Sequence, residues 1–246
     1  MFALLFTFGL SWGLFDWQSP PQLVSFHRKL KNVYCLEKSV QERNTSACVL
    51  FFTGGSSIMS PIIYEDVLTS VAERNVAVCV PSFRYQNLDF LIKRLSEEYR
   101  EVVIAGHSSG CTVALNNCHH KQVKKVILMD PVNTRISNTT TQFNIRHIKS
   151  VLFVNAMKSY KITFEPFGLP FIPFLRITPH LLDTRNTCKI KHIDCSDYGH
   201  CDILNPVWSN LMHFTRIAVG NRVRSNAMFQ SYHDWISDTW CDFIDS

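Results

Sequence analysis

The serine in this chain that is best placed to act as a nucleophile is Ser108, in the segment Gly106-His107-Ser108-Ser109-Gly110. The β-branched apolar run before Gly106 predicts a strand, and the residues after Ser108 suit a helix. A strand that turns directly into a helix forces strained dihedral angles on the serine, and flanking glycines let the two elements approach. This nucleophile-elbow pattern predicts a hydroxyl above a sheet, beside helix N-terminal amides that could stabilise an oxyanion. The alternative is an ordinary turn whose serine caps the helix.

A serine hydroxyl becomes an effective nucleophile when a histidine removes its proton and a carboxylate orients that histidine. His200 is the candidate base, because it follows a predicted strand late in the chain and Gly199 leaves its loop free to aim the ring back across the sheet. Asp130 is the candidate acid, because it ends the predicted strand Lys125–Asp130 and Pro131 stops that strand from continuing. An Asp-Pro pair can instead start a turn and cap backbone amides.

Other carboxylates are weaker candidates for the acid. The commoner position for the acid lies just after the predicted strand Ser150–Asn155, but no carboxylate lies there. Three residues stay in reserve: Glu165, Asp183 and Asp197. Asp202 is expected to cap a helix that begins close to it.

The predicted oxyanion-binding groups are the backbone amides of Ser109 and Gly55. Gly55 follows the predicted strand Ala47–Phe52, and its neighbour Gly54 should let the backbone curl toward Ser108. The two glycines could equally form an ordinary strand-to-helix turn.

Strand-like and helical segments alternate along most of the chain, which predicts crossover connections and a largely parallel sheet with helices on both faces. Short runs that are apolar throughout, such as Val49-Leu50-Phe51-Phe52, suit strands covered on both sides. We expect the chain to open with an antiparallel hairpin formed by Gln22–His27 and Asn32–Glu37. Ligands of such a sheet bind at the carboxyl ends of the strands, where Ser108 and Asp130 are predicted to lie.

The 246 residues suffice for one domain with a large core, since 46% of them are hydrophobic. We expect this α/β domain over residues 21–246, after an apolar segment over residues 1–20. The formal charge of +5 is dispersed, and no basic stripe alternates with aromatic residues. Nucleic acid is therefore not an expected partner, and the oligomeric state is left open.

The segment Phe164–Leu175 is apolar and interrupted by prolines, so it can be neither a regular helix nor a central strand. It could be a loop packed against the core, or an apolar wall over a pocket for a lipophilic substrate.

The first fifteen residues, Met1–Phe15, carry no charged side chain. They are too short to span a bilayer as a helix, which needs about 20 residues. They suit the apolar region of a secretory signal, a peripheral membrane anchor or a strand packed on the domain. A secretory or plastid route is open, and two glycosylation patterns, Asn44-Thr45-Ser46 and Asn138-Thr139-Thr140, add little to it.

The nine cysteines are spread through the chain, and most are expected to be buried thiols. A pair late in the chain could be bridged in an oxidising compartment. Cys188, Cys195, His200 and Cys201 do not have the spacing of a zinc site, so no metal is expected.

Three segments together resemble the α/β-hydrolase family, and within it the chlorophyllase branch, which is related to dienelactone-hydrolase-like and polyester-hydrolase-like esterases. They are the elbow around Ser108, the segment Asp130-Pro131-Val132, and the histidine loop Asp197-Tyr198-Gly199-His200-Cys201-Asp202-Ile203-Leu204. The chain departs from the branch at Ser109-Gly110-Cys111, where Arg-Gly-Gly is usual, and at Thr53, where many such enzymes carry a histidine.

The resemblance implies a Ser108–His200–Asp130 triad that hydrolyses a carboxylic ester through an acyl-enzyme, without a metal or organic cofactor. It also implies the phytyl ester of chlorophyll as substrate. A lipase or thioesterase of the same fold remains an alternative. A non-catalytic binding protein with this fold is the second alternative, because a fold alone does not prove catalytic activity.

Overall fold

The computed structural model describes residues 24–30, 32–38, 46–133, 142–158, 163–164, 169–170, 176–185, 187–214 and 225–246. The main sheet has eight strands, β1 (Val24–Leu30), β2 (Val33–Lys38), β3 (Ala47–Phe52), β4 (Val76–Pro81), β5 (Glu101–His107), β6 (Val123–Met129), β7 (Ser150–Ala156) and β8 (Lys189–Cys195). The longer helices are α1 (Glu65–Glu73), α2 (Leu88–Glu98), α3 (Gly110–Asn116), α4 (Pro206–Phe214) and α5 (Asn226–Asp245).

The strands of the main sheet lie in the order β1-β2-β4-β3-β5-β6-β7-β8. Strand β2 pairs antiparallel with both of its neighbours, and the remaining pairs are parallel. Strands β1 and β2 form the expected opening hairpin, whose turn contains Asn32 at φ 68°. The expected α/β architecture, a mostly parallel sheet with helices, is confirmed.

Both faces of the sheet are covered, because alternate residues of each central strand enter two separate cores. On β3, Val49 and Phe51 pack with residues of α1 and α5. Leu50 and Phe52 point the other way and pack with residues of α2 and α3. Every residue of β3 is buried, as the apolar run in the sequence predicts.

Helix α4 begins later than the sequence suggests. Pro206 is its first residue, and the Asn205 side chain caps it by accepting a hydrogen bond from the Trp208 amide at 3.2 Å. A proline suits the first turn because its missing N–H would have no intrahelical partner there. The expectation that Asp202 caps this helix is therefore wrong.

Several expectations fall outside the described residues. They include Met1–Phe15 and both glycosylation patterns, apart from Ser46. Within Phe164–Leu175 the structure describes only the backbone of Phe164, Leu169 and Pro170, which belong to a two-stranded antiparallel pair. No helix in the described ranges combines the length and apolarity needed to cross a bilayer.

We predict that Gly110→Ala lowers the free energy of unfolding by about 1–3 kcal/mol or more. A Cβ at Gly110 would lie 2.3 Å from the Phe52 carbonyl oxygen and 2.4 Å from that of Thr53, so β3 and α3 would have to separate. Urea denaturation would measure the change. The control Glu73→Ala, at an exposed position of α1, should stay within about 0.5 kcal/mol of the unchanged chain. Equal stability of the two variants would contradict the prediction.

Candidate active site

The turn between β5 and α3 holds Ser108 in the strained conformation that the sequence predicts. Ser108 has φ 55°, in the left-handed region that a residue with a side chain seldom adopts. A Cβ at Gly106 would lie 2.7 Å from the Gly110 carbonyl carbon and oxygen. Gly106 is therefore needed because β5 and α3 touch through their backbones, and Gly110 is needed because α3 touches the end of β3.

The structure brings Ser108, His200 and Asp130 together. The Nε2 atom of His200 lies 2.8 Å from Ser108 Oγ, and its Nδ1 atom lies 2.5 Å from Asp130 Oδ2. Since a carboxylate can only accept, Nδ1–H donates to Asp130 and Nε2 carries the lone pair that faces the serine hydroxyl. The three residues follow β5, β6 and β8, whose carboxyl ends meet at one edge of the sheet.

Asp130 is fixed by its neighbouring strand β7. It has φ 42°, and its amide donates to the Val154 carbonyl at 2.7 Å. The Ala156 amide, at the end of β7, donates to Asp130 Oδ1 at 3.2 Å. The end of β7 is the commoner position for the acid. Here it instead donates a hydrogen bond to Asp130, which follows the neighbouring strand β6.

Arg176 is a site residue that the sequence reasoning missed. Its Nη2 atom lies 3.0 Å from Asp130 Oδ1, and the two side chains are only 6% and 5% exposed. The segment after Asp130 holds it there, because Arg176 forms an antiparallel bridge with Val132 and the Ile177 amide donates to Pro131 at 3.1 Å. The sequence feature that could have indicated this role is the position of Arg176, a single arginine directly after the apolar, proline-interrupted stretch Phe164–Leu175.

His107, the residue before the serine, is fully enclosed and ties two loops together. Its Nε2–H donates to the His200 carbonyl at 2.9 Å, so its Nδ1 atom accepts from the Tyr64 hydroxyl at 2.8 Å. The Tyr64 oxygen in turn accepts from the Gly54 amide at 2.9 Å. A single hydrogen-bond chain therefore runs from the loop after β3 to the backbone of the candidate base.

Burial, together with the neighbouring His200, lowers the pKa of His107 to about 3. The imidazole is consequently neutral near pH 7, which the donor and acceptor roles in this chain require.

Asp202 holds the turn that carries His200. Its Oδ2 atom accepts from the Gly199 amide at 2.8 Å, and its own amide donates to the Gly199 carbonyl at 3.1 Å. The Ser209 hydroxyl donates to its Oδ1 atom at 3.2 Å. This buried carboxylate therefore fixes the backbone on both sides of His200, and it does not cap a helix.

The loop after β3 adopts three consecutive left-handed residues, with φ 61° at Gly55, 55° at Ser56 and 69° at Ser57. The Ser56 amide donates to Ser109 Oγ at 2.7 Å, which joins this loop to the serine turn. Within the described residues, neither the Gly55 amide nor the Ser109 amide has a hydrogen-bond acceptor. These are the two amides that the sequence predicts for oxyanion binding.

Gly54 has a different role from the one expected. The curl starts one residue later, at Gly55. A Cβ at Gly54 would lie 2.9 Å from Met59 Sδ and 3.0 Å from the Tyr64 hydroxyl, so Gly54 is needed for close packing. Thr53 is buried, and its hydroxyl donates to the Met59 carbonyl at 2.7 Å.

The reserve acids lie outside this arrangement where they are described. Asp183 pairs with Arg146, and Asp197 contacts Lys158. Glu165 lies outside the described residues.

One group of three candidate metal ligands occurs among the described residues: Asp89, His119 and His120, with ligand atoms within 4.8 Å of one another. His120 Nε2 lies 2.9 Å from the exposed Asp89 carboxylate. His120 precedes β6 whereas Ser108 follows the parallel strand β5, so this group lies toward the opposite edge of the sheet.

Comparisons with known proteins gave similarity in structure only. No family model matches the chain, and no curated protein is similar to it in sequence. A thermostable esterase from Pseudomonas putida ECU1011 is 9% identical with a TM-score of 0.42, and the match covers 55% of this chain and 64% of that esterase. The chain thus spans less than two thirds of that protein's length.

Two further solved structures match over more of the chain. An arylesterase is 10% identical with a TM-score of 0.45, over 96% of this chain and 90% of that one. Est1E from Butyrivibrio proteoclasticus is 10% identical with a TM-score of 0.47, over 87% and 94%. At these identities and scores we draw no conclusion about activity from the similarities.

We predict that His107 makes the folded chain less stable in acid. The folded state keeps His107 neutral down to about pH 3, whereas the unfolded chain binds the proton near pH 6.5. The stability that neutral His107 contributes is therefore present above pH 6.5 and is lost as the pH falls toward 3, by up to about 1.4 kcal/mol per unit. Urea titrations between pH 7 and 4 should show a shallower acid slope in His107→Gln. Equal slopes in the two proteins would contradict the assignment.

We predict that Arg176→Met lowers the free energy of unfolding by about 3–5 kcal/mol, because it leaves the Asp130 carboxylate buried without its counter-charge. Arg146→Met is the matched control, since the Arg146 side chain also pairs with an aspartate but is 63% exposed. Its cost should be about 1 kcal/mol or less. Equal costs by urea denaturation would show that the Arg176 pair is not a buried structural contact.

Proposed function

We propose that the protein is a serine hydrolase of carboxylic esters that works through an acyl-enzyme. The observation that carries the proposal is the hydrogen-bonded line from Ser108 Oγ through His200 to Asp130, with contacts of 2.8 and 2.5 Å. The imidazole has its lone pair toward the hydroxyl and its N–H toward the carboxylate, which is the tautomer that a general base needs.

In the first step, Ser108 Oγ bonds to the ester carbonyl carbon while its proton passes to His200 Nε2. The carbonyl electron pair moves onto the oxygen, and the Gly55 and Ser109 amides stabilise that oxyanion. Asp130 stabilises the imidazolium and stays ionised. When the intermediate collapses, the bond to the alcohol oxygen breaks and His200 returns the proton to the departing alcohol.

In the second step, water attacks the acyl group on Ser108 and gives its proton to His200. Collapse of this intermediate releases the carboxylic acid and returns the proton to Ser108 Oγ. Each step needs His200 to keep its position while it gains and loses a proton. The hydrogen bonds of His107 and Asp202 to the His200 loop support that requirement.

We infer that the substrate is a lipophilic ester. The apolar composition of Phe164–Leu175 supports this class, and the likeness of the loop Asp197–Leu204 to chlorophyllases makes the phytyl ester of chlorophyll the first candidate within it. Parallel incubation with chlorophyll, a triglyceride and an acyl thioester, followed by product analysis, would separate chlorophyllase from lipase and thioesterase activity. Chlorophyllide and phytol are the expected products, and turnover of another substrate alone would reject chlorophyll.

We predict that a fluorophosphonate probe labels Ser108 and that Ser108→Ala abolishes the labelling. Hydrolysis of a short-chain nitrophenyl ester should fall by about 10⁴–10⁶-fold in Ser108→Ala and in His200→Ala. Ser96→Ala is the control, because the Ser96 hydroxyl bonds only to a carbonyl within α2. Labelling that persists in Ser108→Ala would reject the nucleophile. A chain that is neither labelled nor hydrolytic would instead favour a non-catalytic binding protein.

A further inference from the structure

Two cysteines from different parts of the sequence face each other across the antiparallel edge of the sheet. Cys35 lies on β2 and Cys79 on β4, and the register places them directly opposite one another. Residues directly opposite on neighbouring strands project from the same face of a sheet. Both side chains enter the core beneath α2, where Leu91 and Leu95 cover them.

The hydrogen-bond pattern between β2 and β4 places Cys35 and Cys79 in the kind of cross-strand pair whose side chains lie close together. The Ser82 amide donates to the Asn32 carbonyl at 2.9 Å, which marks those two residues as a hydrogen-bonded pair. Pairs of the two kinds alternate along an antiparallel ladder, so Cys35 and Cys79, three positions further, form a non-hydrogen-bonded pair. Cα atoms in such a pair are about 4.5 Å apart, which lies within the range of about 4.4–6.8 Å that a disulfide spans.

The sulfur atoms are already close. Cys35 Sγ and Cys79 Sγ are 2.6 Å apart, nearer than two unbonded sulfur atoms ordinarily approach and not far from the bond length of about 2.05 Å. Little backbone movement is therefore needed to join them. We propose that Cys35 and Cys79 form an intramolecular disulfide that links β2 to the parallel part of the sheet.

A low-molecular-weight disulfide such as oxidised glutathione supplies the oxidant. One cysteine thiolate attacks a sulfur of this reagent, forms a mixed disulfide and releases one glutathione thiol. The second cysteine then attacks the mixed disulfide at the protein sulfur and releases the second glutathione. The two cysteine protons end on the two glutathione thiols, so the cysteines are oxidised and the reagent is reduced.

A small cleft that is lined by both cysteines lies beside α2. Its lining includes Arg94 and Glu98 of α2, which pair with each other at 3.2 Å and are 40% and 35% exposed. Cys35 itself is 5% exposed. The crosslink between these two cysteines does not depend on the chemistry proposed for Ser108.

Other cysteines serve as internal comparisons. The Cys111 and Cys118 thiols donate to backbone carbonyls of their own region, and burial raises the pKa of Cys118. The late bridge that the sequence left open has no counterpart among the described residues, where Cys188, Cys195, Cys201 and Cys241 are free thiols.

The test uses the full chain, reduced, separated from reductant and incubated in the folded state with oxidised glutathione. Unreacted thiols are then alkylated, and the protein is digested with trypsin without reduction. Trypsin releases Asn32–Lys38 and Asn75–Arg84, each of which contains one of the two cysteines. The expected result is one linked peptide pair, with the titratable thiols in denaturant falling from nine to seven.

The crosslink should also raise the melting temperature by roughly 5–10 °C, and reduction should reverse the rise. Cys79→Ser should abolish both the linked peptide and the rise, whereas Cys241→Ser, which changes a half-buried cysteine of α5, should keep both. Separate alkylated peptides after oxidation, or linkage of either peptide to another cysteine, would overturn the proposal. The peptide map of the unchanged chain decides the matter even if Cys79→Ser does not fold.

Discussion

The arrangement of this site depends on the two hydrogen bonds of the His200 ring. One side of the ring faces the Ser108 hydroxyl and the other donates to the Asp130 carboxylate. The three side chains belong to three separate loops, so their contact requires the strand ends of β5, β6 and β8 to meet at one edge. A parallel sheet provides this geometry because all of its crossover connections bring the chain back to start the next strand in the same direction.

A second set of contacts keeps that ring in place from behind. His107 donates to the backbone of His200, and Asp202 closes the turn around it. Arg176 and the Ala156 amide hold the Asp130 carboxylate. All of these groups are buried and hydrogen-bonded, so a change in any one leaves a polar group without its partner in a region that water does not reach. The geometry of Ser108, His200 and Asp130 and the stability of this edge are therefore linked.

In the loop after β3, backbone amides make the contacts to Tyr64 and to the serine turn. Its three left-handed residues bring the Ser56 amide onto Ser109, while Gly54 packs against Tyr64. This conformation is costly for the two serines, and the contacts at either end of the loop offset that cost. The Gly55 and Ser109 amides have no hydrogen-bond acceptor among the described residues, as the proposed oxyanion binding requires.

The sequence by itself predicted the alternation of strands and helices, the strained turn at Ser108, and that Asp130 and His200 follow strand ends, because each of these depends on residues within a few positions. Tertiary structure alone decided that Arg176 meets Asp130, that His107 reaches His200, and that Cys35 faces Cys79. Those pairs are 46, 93 and 44 residues apart. Local patterns specify which way a strand faces, whereas contacts over such separations follow from which strands become neighbours when the sheet assembles.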